Sequence, residues 1–135
     1  MHQTSQLLAF HVTERTRNQW RGKLPPGEYR KGQVLFYQGH YPYGVFLIHS
    51  GRLELLDHQR EVLLPFDLGK GMLIGYELLQ TEEPYPYTGI VAENLQASFL
   101  DKTLFFDWLS RRSPLVLFDI RRFPAGSTKR APGLV

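Results

Sequence analysis

The chain of 135 residues has no cysteine. Disulfides, thiol nucleophiles and thiolate-held iron–sulfur clusters are therefore excluded within it. It also lacks any run of about eighteen apolar residues, so no transmembrane span and no membrane partner are expected. The opening stretch MHQTSQLLAFHVTERTRNQW has neither the long apolar core nor the small-residue cleavage site of a signal peptide, which makes a cytoplasmic location the expectation. No G-x-S-x-G elbow and no P-loop occur. The neighbouring carboxylates Glu82 and Glu83 point to opposite sides of an extended chain and do not make an acid/base pair. Enzymatic activity is not expected, and no cofactor is implied.

Cations are missing from one long stretch: no Arg or Lys lies between Lys70 and Lys102. The formal charge of +3 is concentrated elsewhere. Arg121, Arg122, Lys129 and Arg130 give the last fifteen residues a charge of +4, which leaves the remainder at −1. A near-neutral body with a basic end has only a weak electrostatic footprint for nucleic acid. Hydrophobic content of 42% with 13% aromatics argues for a packed domain over disorder.

The segment from Tyr29 to Leu55 organises the chain. Val34-Leu35-Phe36-Tyr37 is β-prone and stops at Gly39. The turn His40-Tyr41-Pro42-Tyr43-Gly44 feeds the run Val45-Phe46-Leu47-Ile48, and beyond Ser50-Gly51 Leu53 and Leu55 alternate with Arg52 and Glu54. Strand runs broken by Gly and Pro at this spacing predict a small antiparallel β-roll.

Upstream, a helix is expected over about 6–20, ended by Leu24-Pro25-Pro26-Gly27. Downstream, Leu53–Leu56 and Val62–Phe66 read as a hairpin around a polar tip, and Glu77–Thr81 as a short helical turn. Pro84 and Pro86 impose extended geometry on Glu83 and Tyr85. Thr88–Glu93 and Ala97–Asp101 read as the last strands. Leu104, Phe105, Trp108 and Leu109 then fall at helical spacing, and Pro114 is expected to open a further helix. The predicted organisation is one domain over 1–122, with the roll at about 24–101, C-terminal helices at about 103–122 and a basic flexible tail at 123–135.

Four segments, KGQVLFYQGH (31–40), FLIHSGRLEL (46–55), LGKGMLIGYELL (68–79) and PYPYTGIVAEN (84–94), carry a resemblance to the cyclic nucleotide-binding domain, and more narrowly to the effector domain of Crp/Fnr regulators. Gly32, Gly39, Gly51, Gly71 and Gly75 fall in the family's order and close to its spacing. The resemblance implies a mainly β fold, an antiparallel β-roll or jelly roll (double-stranded β-helix) with flanking short helices. It also implies a regulatory or signal-sensing role, in transcription for Crp/Fnr members, and a cytoplasmic homodimer. After the roll, those regulators continue into a dimerising helix and a helix-turn-helix. No helix-turn-helix pattern follows here, so direct DNA binding is not expected. The effector half of a regulator whose DNA-binding half is missing is one alternative.

Ligand-binding members of the family hold a cyclic nucleotide in a phosphate-binding cassette. A short helix offers backbone N–H groups, a Glu binds the ribose, and an Arg pairs with the phosphate. By resemblance the cassette here is Gly75, Tyr76, Glu77, Leu78, Tyr85, Tyr87 and Thr88. Tyr76 takes the place of the ribose-binding Glu, with Glu77 one step away, and Tyr85 takes the place of the Arg. Losing a hydrogen bond to a charged group forfeits about 1.5–3 kcal/mol, so cyclic AMP in the usual mode is not expected. One reading is a rewired pocket for a neutral, planar small-molecule effector, since tyrosines offer flat faces with polar tips. The other is that Tyr85 and Tyr87 simply fill the vacated space.

Two further readings follow from the residues. His40, His49 and Glu77 would make a cupin-like metal site if they converged, although no H-x-H is present. Phe106 with Leu117 or Phe118 exceeds what one face of the terminal helices can bury, which points to a homodimer or a protein partner.

Overall fold

The computed structural model describes residues 6–57, 59, 62–111 and 117–124. In chain order the elements are β1 (Gln6–Val12), α1 (Glu14–Lys23), β2 (Gly27–Tyr29), β3 (Val34–Phe36), β4 (Gly44–Leu56), β5 (Val62–Leu68), β6 (Met72–Ile74), α2 (Tyr76–Thr81), β7 (Thr88–Asp101), α3 (Lys102–Ser110) and β8 (Leu117–Pro124). Strands β4 and β7 form the spine, antiparallel from Gly44↔Asp101 to Leu56↔Thr88. β2 and β3 pair with β7, β5 and β6 pair with β4, and β1 lies between β6 and β8. The predicted mainly β, antiparallel roll with short helices is the fold observed.

The five motif glycines, Gly32, Gly39, Gly51, Gly71 and Gly75, all adopt positive φ. At Gly51 the requirement is double. Its φ is +90°, which L side chains rarely adopt, and a Cβ would collide with the Asn94 carbonyl across the ladder. The corner it makes lets β4 change register with β7 between Ser50 and Arg52 and continue as one strand.

The continuous apolar run Val45–Ile48 is explained by burial on both faces. Val45 and Leu47 enter a cluster with Phe10, Trp20, Leu100 and Phe105 beneath the helices. Ile48 faces the roll interior with Leu53, Leu55, Ile74 and Val91, and Phe46 packs against that cluster. Each such side chain contributes about 1.5–3 kcal/mol on burial, so β4 is the element the fold can least lose.

Two expectations at the chain's ends are corrected. The helix predicted over 6–20 is a strand over Gln6–Val12 followed by a helix over Glu14–Lys23. Phe10 and Val12, two apart, lie on one buried face, a strand's period and not a helix's. Thr13 then caps the helix, its side chain accepting from the Thr16 N–H at 3.2 Å.

At the other end α3 forms as predicted, capped by Asp101 accepting from the Leu104 N–H at 2.9 Å. The second terminal helix does not form: Leu117–Pro124 is a strand, paired with β1 from Val12↔Leu117 to Gln6↔Pro124. The unpaired edge of β1 supplies the backbone partners, which no local pattern reveals. The predicted tail from 125 onwards lies outside the described residues.

Candidate functional site

The residues predicted to form the cassette run from the end of β6 to the first residue of β7. Gly75 takes φ 110° and ψ −13° at the start of α2, its carbonyl accepting from the Leu79 N–H at 3.0 Å. The helix ends at Glu82, which has φ 59° and is the one non-glycine residue with positive φ among those described. Its companion Glu83 donates its N–H to the Leu78 carbonyl at 3.1 Å and accepts from the Thr81 hydroxyl at 3.0 Å. The two carboxylates therefore belong to the turn that closes α2.

The predicted cassette residues do not converge on one space. Leu78, Tyr85 and Tyr87 face the roll interior, all buried. Tyr76 points the other way, its ring 4.9 Å from Phe10 and 5.4 Å from Phe105, edge-on to both. Glu77 lies on α2 and is half-buried, its carbonyl accepting from the Thr81 hydroxyl. Thr88 opens β7, its hydroxyl accepting from the Gln38 N–H at 3.0 Å.

Tyr85 is 4% exposed and stacks on Phe36 with ring centroids 4.1 Å apart and planes 14° from parallel. Its backbone is clamped as well: its N–H donates to the His40 carbonyl and its carbonyl accepts from the Gly39 N–H, each at 2.9 Å. Burial pushes the Tyr85 phenol above its ordinary pKa, so the group stays neutral in the fold.

His40, His49 and Glu77 do not form a metal site: among the described residues no group of three or more His, Asp or Glu is placed to hold an ion. His40 lies in the β3–β4 loop, its ring 5.4 Å from that of Tyr37. His49 is 1% exposed on the opposite side of the sheet, with Nε2 2.7 Å from the Ser98 hydroxyl. That hydroxyl donates to the Leu24 carbonyl at 3.0 Å, so it accepts from His49, and Nε2 carries the proton. Burial first, then the charges of Arg21 and Arg17, hold the imidazole below its usual pKa. His49 thus ties the end of α1 to β4 and β7 as a neutral structural residue.

An open cleft lies beside the cassette. It has a volume of about 380 Å³ and is walled by the 37–43 loop, by Phe36 and Tyr85, and by Phe46 and Phe99 on the spine strands. Of the predicted cassette residues only Tyr85 reaches it, and of the candidate metal ligands only His40. The density of tyrosine in the segment Tyr37–Tyr43 is the sequence signal for this cleft, in a stretch whose Gly and Pro spacing reads as a turn.

The family model for the cyclic nucleotide-binding domain matches residues 26–112. No curated protein matches the chain. Among solved structures, the cAMP-bound form of the EAL enzyme Bd1971 is 20% identical at a TM-score of 0.56, over 67% of this chain and 25% of that one. The regulatory subunit of a cAMP-independent protein kinase A from Trypanosoma brucei is 15% identical at 0.55, over 65% and 34%. The cAMP-bound PfPKA-R is 20% identical at 0.57, over 65% and 30%. These likenesses establish a shared fold, and the chain spans about a quarter to a third of the length of those three proteins.

Proposed function

Because the chain belongs to the cyclic nucleotide-binding domain family, we propose that it is a regulatory sensor domain whose cassette does not take a cyclic phosphate in the usual way. The family's domain is regulatory and non-catalytic. The observation that carries the reading is Tyr85. It stands where the resemblance expects the phosphate-binding Arg, is buried against Phe36 and offers no positive charge. With Tyr87 also buried, the roll interior is occupied by the protein's own aromatic rings. The turn beside it carries Glu82 and Glu83, and no Arg or Lys lies between Lys70 and Lys102 to offset a phosphate. One fold relative is itself named as the regulatory subunit of a cAMP-independent kinase, so regulation without this ligand is compatible with the fold. The narrower kinship with Crp/Fnr regulators, and with it a role in transcription, rests on the motif segments alone.

A thermal-shift titration with cyclic AMP and cyclic GMP tests this. A ligand that binds the folded state must raise the melting temperature by mass action. No shift is expected for the wild type. A saturable rise would overturn the reading and make the domain an ordinary nucleotide sensor.

A second reading, self-association through the terminal segment, is favoured by one observation. Leu104 on α3 is 54% exposed and borders an apolar groove of about 230 Å³ floored by Trp20, Leu24 and Trp108. Size-exclusion with light scattering is expected to give a dimer that Leu104→Glu converts to monomer. A wild type that is monomeric at all concentrations would remove this reading.

A further inference from the structure

The aromatic cleft is the part of the surface that neither the cassette nor the core accounts for. Five large apolar side chains are exposed among the described residues, and four of them, Tyr37, Tyr41, Tyr43 and Phe99, line this one cleft. Their exposures reach 61% at Tyr41 and 84% at Tyr43. Leaving that much aromatic surface in water forgoes burial energy, and its concentration in one concavity marks a recognition surface.

The lining sets the ligand class. Eight of the eleven lining residues are Phe or Tyr, the others are Leu35, His40 and Pro42, and none is Asp, Glu, Lys or Arg. A phosphate or carboxylate would find no cation, and a metal ion no carboxylate. Flat ring faces favour another ring, offset-stacked or edge-on, while tyrosine hydroxyls and His40 supply hydrogen bonds at its edge. A cleft of about 380 Å³ falls within the size range of small-molecule sites.

The loop is also held in place before any ligand arrives. Gln38, Gly39 and His40 are bonded to Thr88 and Tyr85. At the far end the Tyr43 carbonyl accepts from the Lys102 N–H at 2.7 Å. Anchoring at both ends lowers the ordering cost of binding.

We infer that this cleft binds an uncharged planar ring compound of two or three fused rings, stacked against the tyrosines of the 37–43 loop. The inference names a ligand class for the effector of the sensor reading and rests on that reading to this extent. The two fail separately, because cyclic AMP binding in the wild type would sink the cassette reading and leave this one standing.

The test titrates the full chain with 1-naphthol, 1-naphthyl phosphate and tetramethylammonium, following ligand fluorescence for the first two and competition for the third. Saturable naphthol binding is expected, with the phosphate about tenfold weaker because its charge has no partner. Tyr41→Ala and Tyr43→Ala, both at exposed positions, should each weaken naphthol by about two- to tenfold, the scale of one aromatic pair. Leu104→Ala, in the other apolar groove, should leave naphthol binding unchanged whatever it does to self-association. The inference is overturned if naphthol does not saturate, if the phosphate binds equally well, or if the tyrosine variants match the wild type. Loss of binding in Leu104→Ala would move the site to the other groove, and displacement by tetramethylammonium would make the cleft a cation cage; either result also overturns it.

Discussion

Tyrosine has opposite fates in two neighbouring regions of this molecule. In the cassette, Tyr85 and Tyr87 are 4% and 1% exposed and belong to the roll's core; in the β3–β4 loop, Tyr41 and Tyr43 are 61% and 84% exposed and wall an open cleft. The two regions touch: Gly39 and His40 exchange backbone hydrogen bonds with Tyr85. Composition therefore does not decide which tyrosine is structural. Position does, because Tyr85 and Tyr87 lie on the turn into β7 and both enter the interior cluster, whereas the loop has no sheet partner to bury its rings against. Aromatic rings fill the roll interior, and an aromatic cleft opens next to them.

The largest effect that could break this comparison is expected at Tyr87. Truncation to Ala should cost about 3–5 kcal/mol, the range for deleting a buried aromatic ring, read from the midpoint of urea unfolding. A loss below about 1 kcal/mol would mean that the cassette interior is loosely packed and that its tyrosines are not core. Tyr85 offers a pH version of the same question. Its phenol is raised above the ordinary 10.0 by burial, so the unfolded chain releases the proton first as pH climbs. Stability from this group is intact below pH 10.0 and lost as pH rises above it. Tyr85→Phe, which keeps the stack on Phe36, should flatten the alkaline fall in melting temperature. An unchanged alkaline limb would show that Tyr85 is not the group responsible.

The five glycines with positive φ made the roll legible in the sequence, because a backbone position that only glycine tolerates leaves a mark no partner can alter. The short helix over Tyr76–Thr81 and the β4–β5 hairpin were legible for a similar reason, each being fixed by local chemistry. β8 was not. Leu117, Phe118 and Ile120 fit a helix or a strand equally well, and the choice was made by the edge of β1, more than a hundred residues away. The same holds for His49, whose proton position depends on Ser98 and Leu24. The candidate site was half legible: the absence of any Arg or Lys between Lys70 and Lys102 could be read, but not that the open space lies in front of the loop, since that depends on Phe46 and Phe99 meeting across the spine at 5.0 Å.

A smaller, acid-side effect is expected at His49, on the face of the sheet away from both tyrosine groups. Burial and the charges of Arg21 and Arg17 keep its folded pKa below the ordinary 6.5, so the unfolded chain takes up the proton first as pH falls. Its contribution is present above pH 6.5 and declines below it. His49→Gln retains a donor for Ser98 and should reduce the drop in melting temperature between about pH 7 and pH 5. An unaltered drop would assign the acid sensitivity to other groups.

The smallest stability effect is expected at Tyr43, and it is the sharpest test of the contrast. A side chain 84% exposed has almost nothing to lose on truncation, so Tyr43→Ala should shift unfolding by no more than about 0.5 kcal/mol, the usual range for surface changes. The same substitution should weaken naphthol in the cleft, whereas Tyr87→Ala acts on stability first. Stability and binding would then separate between two tyrosines of one protein, according to whether the sheet covers the ring. If Tyr43→Ala instead costs several kcal/mol, the loop is part of the core and the cleft is a by-product of packing. A neutral stability change with weakened ring binding assigns Tyr43 to recognition, because an exposed side chain that affects ligand affinity and leaves folding unchanged must act through the ligand itself.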